Sequence, residues 1–190
     1  MDTLPTDIIR KIAEYDPSMA YACYPVIAPR PTKSLVEFCI DNNKFELFKE
    51  IFARVEYSEH ESRNLLTKVV KDQKLPFADR IFGRFPHVDV LTACIPYVSY
   101  DGDVTFVKWM VSNGATITNE VVPITVREGH IDLTAYYLSF WNIDPSVRQN
   151  EAFWIAFDRR HEEMTWMLYD HYKVNVNMSP SDLREVFEVM

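Results

Sequence analysis

Several side chains in this sequence are of types that enzymes use, and their spacing decides what chemistry is open to them. His161 is followed by Glu162 and Glu163, which is how the helix of a zinc protease begins. Such a helix needs a second histidine four residues after the first, because residues at that spacing share one helix face, and Thr165 stands there instead. The segment therefore predicts a solvated helix face rather than a zinc site.

The other acid and base candidates have structural explanations. His130 follows Gly129 at the start of a helix, and no nucleophile or carboxylate at a catalytic spacing accompanies it, so we expect a structural role for it. Asp101 and Asp103 flank a turn, and acids at a helix N-terminus stabilise it by about 0.3–1 kcal/mol each. The four glycines lack the spacing of a phosphate-binding loop. We predict no catalytic residue, no cofactor and no metal, and hence a protein that is not an enzyme.

The number and spacing of the cysteines indicate the cellular compartment of the protein. Cys23, Cys39 and Cys94 are odd in number, widely spaced and set among apolar neighbours, which predicts small buried thiols and not a disulfide framework. Acids precede the first apolar residues at the N-terminus, so we expect no secretory leader, and no apolar run of about 18 residues that would span a membrane occurs. These features predict a cytoplasmic protein with no membrane association, the nucleus being the other compartment open to it.

Composition and net charge limit the classes of partner that the chain can bind. The chain has 190 residues, 47% of them hydrophobic and 25% charged, as in a folded protein, and its formal net charge is −8. This charge argues against a nucleic-acid surface along the whole chain, since phosphate binding needs clustered cations. A local basic patch nevertheless lies between Arg63 and Arg84. It comprises Lys68, Lys71, Lys74, Arg80 and Arg84, and it makes nucleic-acid binding the alternative function.

One pattern of turn and apolar residues recurs along the chain from Lys33 onward. A turn residue is followed by apolar residues two, four, eight and nine positions later, a pattern that marks the inward side of a helix. The successive separations of the turn residues are 30, 29, 27 and 31 residues. The five turn residues are Asn43, Gln73, Gly102, Gly129 and Arg160.

A shorter apolar stretch precedes each turn, so the unit is a helix, a tight turn, a second helix and a connector. The preceding stretches are Leu35 to Ile40, Leu65 to Val70, Leu91 to Val98, Val121 to Val126 and Phe153 to Phe157. One such unit cannot bury its apolar face alone, so the units are expected to stack in a row. The fold class predicted is all-α, with stacked helix-turn-helix repeats forming a short solenoid.

Aromatic residues are the candidates for partner contact. They make up 14% of the chain, which is high, and tryptophan and tyrosine dominate the energetics of many protein interfaces. Trp109 and Trp166 fall off the inward stripe, so they either wedge between neighbouring units or line a binding surface with Tyr136. Trp141, which lies in a connector, has the same two interpretations.

The segments FVKWMVSNGATIT (106–118), REGHIDLTAYYL (127–138) and MTWMLYDHYKVNVN (164–177) carry a family resemblance. They resemble the second helix and connector of ankyrin repeats, and the array resembles the divergent ankyrin arrays of large DNA viruses. The T-P-L-H-x-A start of the ankyrin first helix is absent, and the period is shorter than the usual 33 residues. Regular hairpin fingers are therefore not expected, and short loops are expected in their place.

The N-terminal segment LPTDIIRKIAEYDP (4–17) resembles the opening helix of an F-box but lacks the rest of that motif. We predict that residues 1–32 form a capping or F-box-like helical segment with a proline-rich connector. Residues 33–190 are predicted to form the repeat array. Its units span 33–60, 61–89, 90–118, 119–147 and 148–178, and its C-terminal capping helix spans 179–190.

These features favour a scaffold or adaptor that binds a protein partner, and the viral resemblance implies a host factor in the host cytoplasm. If the segment 4–17 acts as an F-box, the chain is instead the substrate receptor of a ubiquitin ligase. The repeated spacing of apolar residues supports the scaffold hypothesis, because stacked units present long surfaces to other macromolecules.

Overall fold

A computed structural model of the chain describes residues 32–171 and 173–188, and these residues contain helices and no β-strand. The F-box-like segment 4–17 and Cys23 lie outside the described residues. Eleven helices follow one another within these two described ranges. They are α1 (Lys33–Asp41), α2 (Phe45–Phe52), α3 (Glu59–Lys71), α4 (Leu75–Arg84), α5 (Val88–Asp101), α6 (Val104–Ser112), α7 (Val121–Glu128), α8 (Ile131–Leu138), α9 (Val147–Asp158), α10 (Glu162–Tyr169) and α11 (Pro180–Glu188).

The turns between paired helices share one backbone conformation. The five aligned turn residues all have positive φ, namely Asn43 at 54°, Gln73 at 51°, Gly102 at 80°, Gly129 at 79° and Arg160 at 57°. In four of the five turns, the next residue donates its backbone N–H to the carbonyl five positions earlier, as His130 does to Thr125 at 2.9 Å. This bond and the left-handed residue are the features of a Schellman helix stop. The alignment of turns made from the sequence therefore agrees with the backbone.

Helix packing follows the order of the units. The helices that precede the turns form one row, in which α3 packs on α5, α5 on α7, and α7 on α9. The helices that follow the turns pack on their counterparts as well, α2 on α4, and α8 on both α6 and α10. A single cluster of buried residues extends from Val36 in α1 to Leu183 in α11. The core is thus continuous along the row, and the all-α prediction is confirmed.

The inward stripe of the second helices lies where the sequence predicts it. Four positions after the turn, Phe77, Phe106, Leu133 and Met164 are buried, and eight positions after it all five units place a buried residue. The residue two positions after the turn is only partly buried, and Glu162 there is exposed. Its carboxylate lies in the first turn of α10, where a negative charge complements the free N–H groups of the helix.

Side-chain caps fix several helix starts. Ser58 and Glu61 form a capping box at α3, each side chain bonding the backbone N–H of the other. The Asp103 carboxylate accepts a hydrogen bond from the Phe106 N–H at 2.9 Å and so starts α6. Ser179 starts α11 in the same way by accepting from the Asp182 N–H at 3.2 Å. Each cap satisfies an N–H group that would otherwise lack an acceptor.

The C-terminal helix covers the last apolar face. Leu183 of α11 is fully buried, and the Phe187 ring lies 6.1 Å from the ring of Phe157 in α9. Residues of the last unit that would otherwise face solvent are thereby enclosed, as a terminal cap of a row of units requires.

Candidate interaction surface

The helices that precede the turns present one row of exposed side chains across the five units. The residue two positions before each turn is exposed in every unit, because that position of the helix points away from both the neighbouring helices and the core. The row consists of Asp41, Lys71, Tyr100, Arg127 and Asp158. Four of these residues are charged, and the fifth, in the middle, is a tyrosine.

A groove of about 360 Å³ runs beside this central tyrosine, between α3, α5 and α7. Tyr97 and Tyr100 lie one helical turn apart on α5 and are 56% and 59% exposed. Pro96 and Ile124 add apolar surface to the walls. Exposed tyrosines beside an apolar groove are typical of protein interfaces, since each ring offers a large contact area and a hydroxyl group that stays hydrated.

Charged side chains stand at the edges of this groove. Lys71 lies on the α3 side, with its Nζ 4.1 Å from the centre of the Tyr97 ring, a cation–π contact. Arg127 lies on the α7 side, and Asp101 and Glu128 also line the groove. The Asp101 carboxylate accepts a hydrogen bond of 2.5 Å from the Gln73 side chain. The groove therefore combines aromatic surface with charges of both signs.

The turn next to Tyr100 is fixed by the following unit. His130 donates from Nε2 to the Tyr100 carbonyl at 2.8 Å, since a carbonyl oxygen only accepts. His161 bonds the Val126 carbonyl in the same way at 3.0 Å. Both histidines are first after their turns, and both bond the end of the first helix of the preceding unit. The structural role predicted for His130 from the sequence agrees with this contact.

We expect His130→Ala to lower the free energy of unfolding by about 0.5–1.5 kcal/mol, because the Tyr100 carbonyl loses its donor from the next unit. Urea unfolding followed by circular dichroism at 222 nm measures the effect. His60→Ala is the matched control, since the ring of His60 is exposed and bonds only Asn64 of the same helix. Equal stability of the two variants would show that the bond to Tyr100 adds nothing.

Most cations of the predicted basic patch are bound within the chain. Lys68 pairs with Asp41 at 2.6 Å, and this carboxylate raises the pKa of the lysine. Lys74 donates to the Ile40 carbonyl, and Arg84 donates to the Phe52 carbonyl. Only Lys71 and Arg80 of the five named residues are both exposed and without a hydrogen bond or ion pair to another described residue. The bonds of Lys68, Lys74 and Arg84 thus join neighbouring units, and binding of nucleic acid by the patch stays a prediction.

The predicted aromatic contacts fall into two groups. Trp109, Tyr136 and Trp166 are partly buried among the second helices. Trp109 donates from Nε1 to Asp79 of the preceding unit at 2.9 Å, and its ring lies 5.9 Å from that of Phe82. These contacts match the interpretation of a wedge between units.

Tyr136 and Trp166 make similar contacts. The Nζ of Lys108 in α6 lies 5.3 Å from the centre of the Tyr136 ring. The guanidinium of Arg184 in α11 lies 5.9 Å from the centre of the Trp166 ring. The Tyr136 ring therefore joins successive units, and the Trp166 ring joins the last unit to the capping helix α11. Partner binding by these two side chains and by Trp109 stays a prediction.

Trp141 differs from the other three, since it is 87% exposed. It lies in the connector between α8 and α9, where Lys173 donates to the carbonyls of Trp141 at 3.1 Å and Ile143 at 2.8 Å. The Asn119 side chain accepts from the Asp144 N–H at 2.8 Å and ties the same connector to the one before it. These bonds hold the backbone of the connector that carries the exposed indole.

The reactive side chains are enclosed. Burial raises the pKa of the Cys39 thiol to about 11 and also raises that of Cys94, so both thiols are poor nucleophiles. Ser62 is fully buried, and its hydroxyl donates to the Glu59 carbonyl of the same helix. The same hydroxyl lies 2.9 Å from Nε2 of His87, and this contact joins α3 to the start of α5. The prediction of buried thiols is confirmed for Cys39 and Cys94.

Two further properties concern the described part of the chain. Within it, no three His, Cys, Asp or Glu side chains are grouped so that they could hold a metal ion. None of its helices has both the length and the apolar character needed to cross a membrane.

Sequence reasoning missed Tyr97 and Tyr100. A signal was present, since the position of Tyr100 is occupied by Asp41, Lys71, Arg127 or Asp158 in the other units. A position that is charged in four units of five predicts exposure in the fifth.

Comparison of the chain with protein-family models, with curated proteins and with solved structures finds no match in any of the three.

Proposed function

We propose that this chain is a non-enzymatic scaffold that binds a protein partner in the groove between α3, α5 and α7. The observation that carries the proposal is the pair of exposed tyrosines, Tyr97 and Tyr100, side by side on α5. Two neighbouring exposed rings leave apolar surface in contact with water. A partner that covers them gains the free energy of removing that surface from water. Hot-spot residues of this type contribute about 2 kcal/mol or more each to binding.

We further propose that the row of helices is an ankyrin-like solenoid. The recurrence of positive φ at five turns, the stacking of first helices on first helices, and the histidine bonds between units support it. A stacked row offers a partner several successive helices at once, so that one extended surface binds it.

We also propose a cellular compartment and a kind of partner. We place the scaffold in the cytoplasm, where thiols such as those of Cys39 and Cys94 stay reduced, and the resemblance to viral ankyrin arrays suggests a host protein as partner.

Affinity purification from native cells tests the groove. The tagged full chain and its Tyr97→Ala/Tyr100→Ala variant are compared, and retained proteins are quantified by mass spectrometry. We expect the variant to lose at least one partner by about 30-fold or more, the equivalent of about 2 kcal/mol. Both rings are exposed, so the variant should unfold at nearly the wild-type urea concentration.

Trp141→Ala provides the matched comparison, because it removes another exposed aromatic ring outside the groove. We expect it to retain the partner. Loss of the partner with Trp141→Ala, and retention by the double tyrosine variant, would reject the groove and move the binding surface to the connector.

A further inference from the structure

The groove places a cation on each side of its tyrosines. The row two positions before the turns brings Lys71, Tyr100 and Arg127 into register on the three consecutive first helices α3, α5 and α7. Packed helices lie about 8–10 Å apart, so each cation is anchored about that far from Tyr100, on opposite sides. All three side chains line the same groove.

Neither cation is neutralised within the described residues. Ion pairs there engage Lys33, Lys49, Arg63, Lys68 and Arg148, and no described carboxylate lies within 4 Å of the Lys71 or Arg127 nitrogens. Of the acids that line the groove, Asp101 is engaged by the Gln73 amide. The exposed cations are therefore available to carboxylates from outside.

We propose that the segment of the partner that enters this groove is an acidic peptide with one large apolar side chain, its carboxylates pairing with Lys71 and Arg127 and its apolar side chain packing on Tyr97 and Tyr100. This inference rests on the function proposed above and adds the chemistry of the partner to it. A volume of about 360 Å³ accommodates one large side chain, and the apolar walls at Pro96 and Ile124 enclose it. The two cations then set the register of the bound segment and speed its association.

The competing occupant is a basic segment that uses Asp101 and Glu128. Asp101 would have to give up its bond to Gln73, and the partner's cations would face Lys71 and Arg127 at short range. Like charges so placed cost binding free energy. An acidic segment also faces Asp101 and Glu128, but Asp101 is already hydrogen-bonded to Gln73 and Glu128 is partly buried. Lys71 and Arg127 are both exposed, so the accessible charges of the groove favour the acidic segment.

A peptide selection tests the inference on the full chain. Phage displaying random peptides of about twelve residues are panned on the immobilised protein, and enriched peptides are remade with a fluorophore for anisotropy titration. We expect the enriched peptides to hold more Asp and Glu than the unselected library and to share a large apolar residue. We expect Lys71→Glu/Arg127→Glu to weaken their binding by about 10-fold or more, and added salt to weaken it as well.

Arg54→Glu/Arg80→Glu is the matched control, since it changes the net charge equally at exposed positions outside the groove. It should weaken binding by no more than about 2-fold. Circular dichroism and urea unfolding establish that each variant is folded.

The outcomes separate the inference from the proposed function. Peptides that are basic or uncharged and that lose binding only with Tyr97→Ala/Tyr100→Ala would overturn the acidic partner and leave the groove as the binding site. Peptides that bind all variants alike would overturn both. Failure to enrich any peptide would overturn the inference, and the purification from native cells would then decide the function.

Discussion

Replacing Gly102 with alanine is expected to lower the free energy of unfolding by about 2–4 kcal/mol, which combines a strained backbone with a steric clash. The φ of Gly102 is 80°, a conformation that a Cβ disfavours. An added Cβ would also lie 2.5 Å from Nδ1 of His130, closer than real side chains approach. Chemical unfolding measures the loss. The matched control is Gly83→Ala, because Gly83 lies inside α4 with no atom within 4 Å of an added Cβ.

The control should gain about 0.5–1 kcal/mol, since alanine favours a helix interior over glycine. A double-mutant cycle then separates the two costs. With His130 already replaced by alanine the clash is absent, so Gly102→Ala should cost only the strain of about 1–2 kcal/mol. Additive effects of the two substitutions would show that the His130 ring does not pack over Gly102, and the contact between these units would be wrong.

Replacing Phe106 with alanine is expected to cost about 3–5 kcal/mol, the range for a large aromatic side chain removed from a core. Phe106 is 1% exposed on α6, four positions after the Gly102 turn, and its ring lies 5.4 Å from that of Trp109. Urea unfolding measures the loss. Thr105→Ala is the matched control, because Thr105 is the preceding residue on the same helix and is exposed.

Thr105→Ala should change stability by less than about 0.5 kcal/mol. Hydrogen exchange adds a spatial test of the row. Each unit packs mainly on its neighbours, and Phe106 belongs to the unit formed by α5 and α6. Phe106→Ala should therefore raise exchange most in α3 to α8 and least in α1 and α10. A uniform increase along the chain would indicate one cooperative bundle in place of a row of units.

The sequence predicts the framework because local rules determine it. Left-handed turns select Gly102 and Gly129, and the residues four and eight positions later must face inward once the second helix begins. Asn43, Gln73 and Arg160 take the same conformation without glycine. Their alignment therefore rests on the apolar spacing around them and not on residue type.

The site was harder to predict, because it depends on which sides of a helix its neighbours cover. Helix α5 packs on α3, α6 and α7, so apolar residues lie on nearly all its faces, and Tyr97 and Tyr100 do not stand out from them. Trp109 attracts attention by its type, yet it fills the space between α4 and α6. Only the comparison of one position across all units separates these cases.

The bonds between units were only partly predictable. The His130 side chain bonds the Tyr100 carbonyl of the preceding unit, an acceptor that its position beside Gly129 does not indicate. Lys74 belongs to the predicted basic patch, and its Nζ donates to the Ile40 carbonyl, also in the preceding unit. Such contacts join residues about 30 positions apart, and their geometry follows from stacking and not from local sequence.

Hydrogen–deuterium exchange of the chain with and without its purified partner locates the binding surface without any substitution. We expect the partner to slow exchange in the last turns of α3, α5 and α7, around Lys71, Tyr100 and Arg127, and to leave exchange in α6, α8 and α10 unchanged. Slowed exchange confined to the second helices, or to the connector at Trp141, would contradict it.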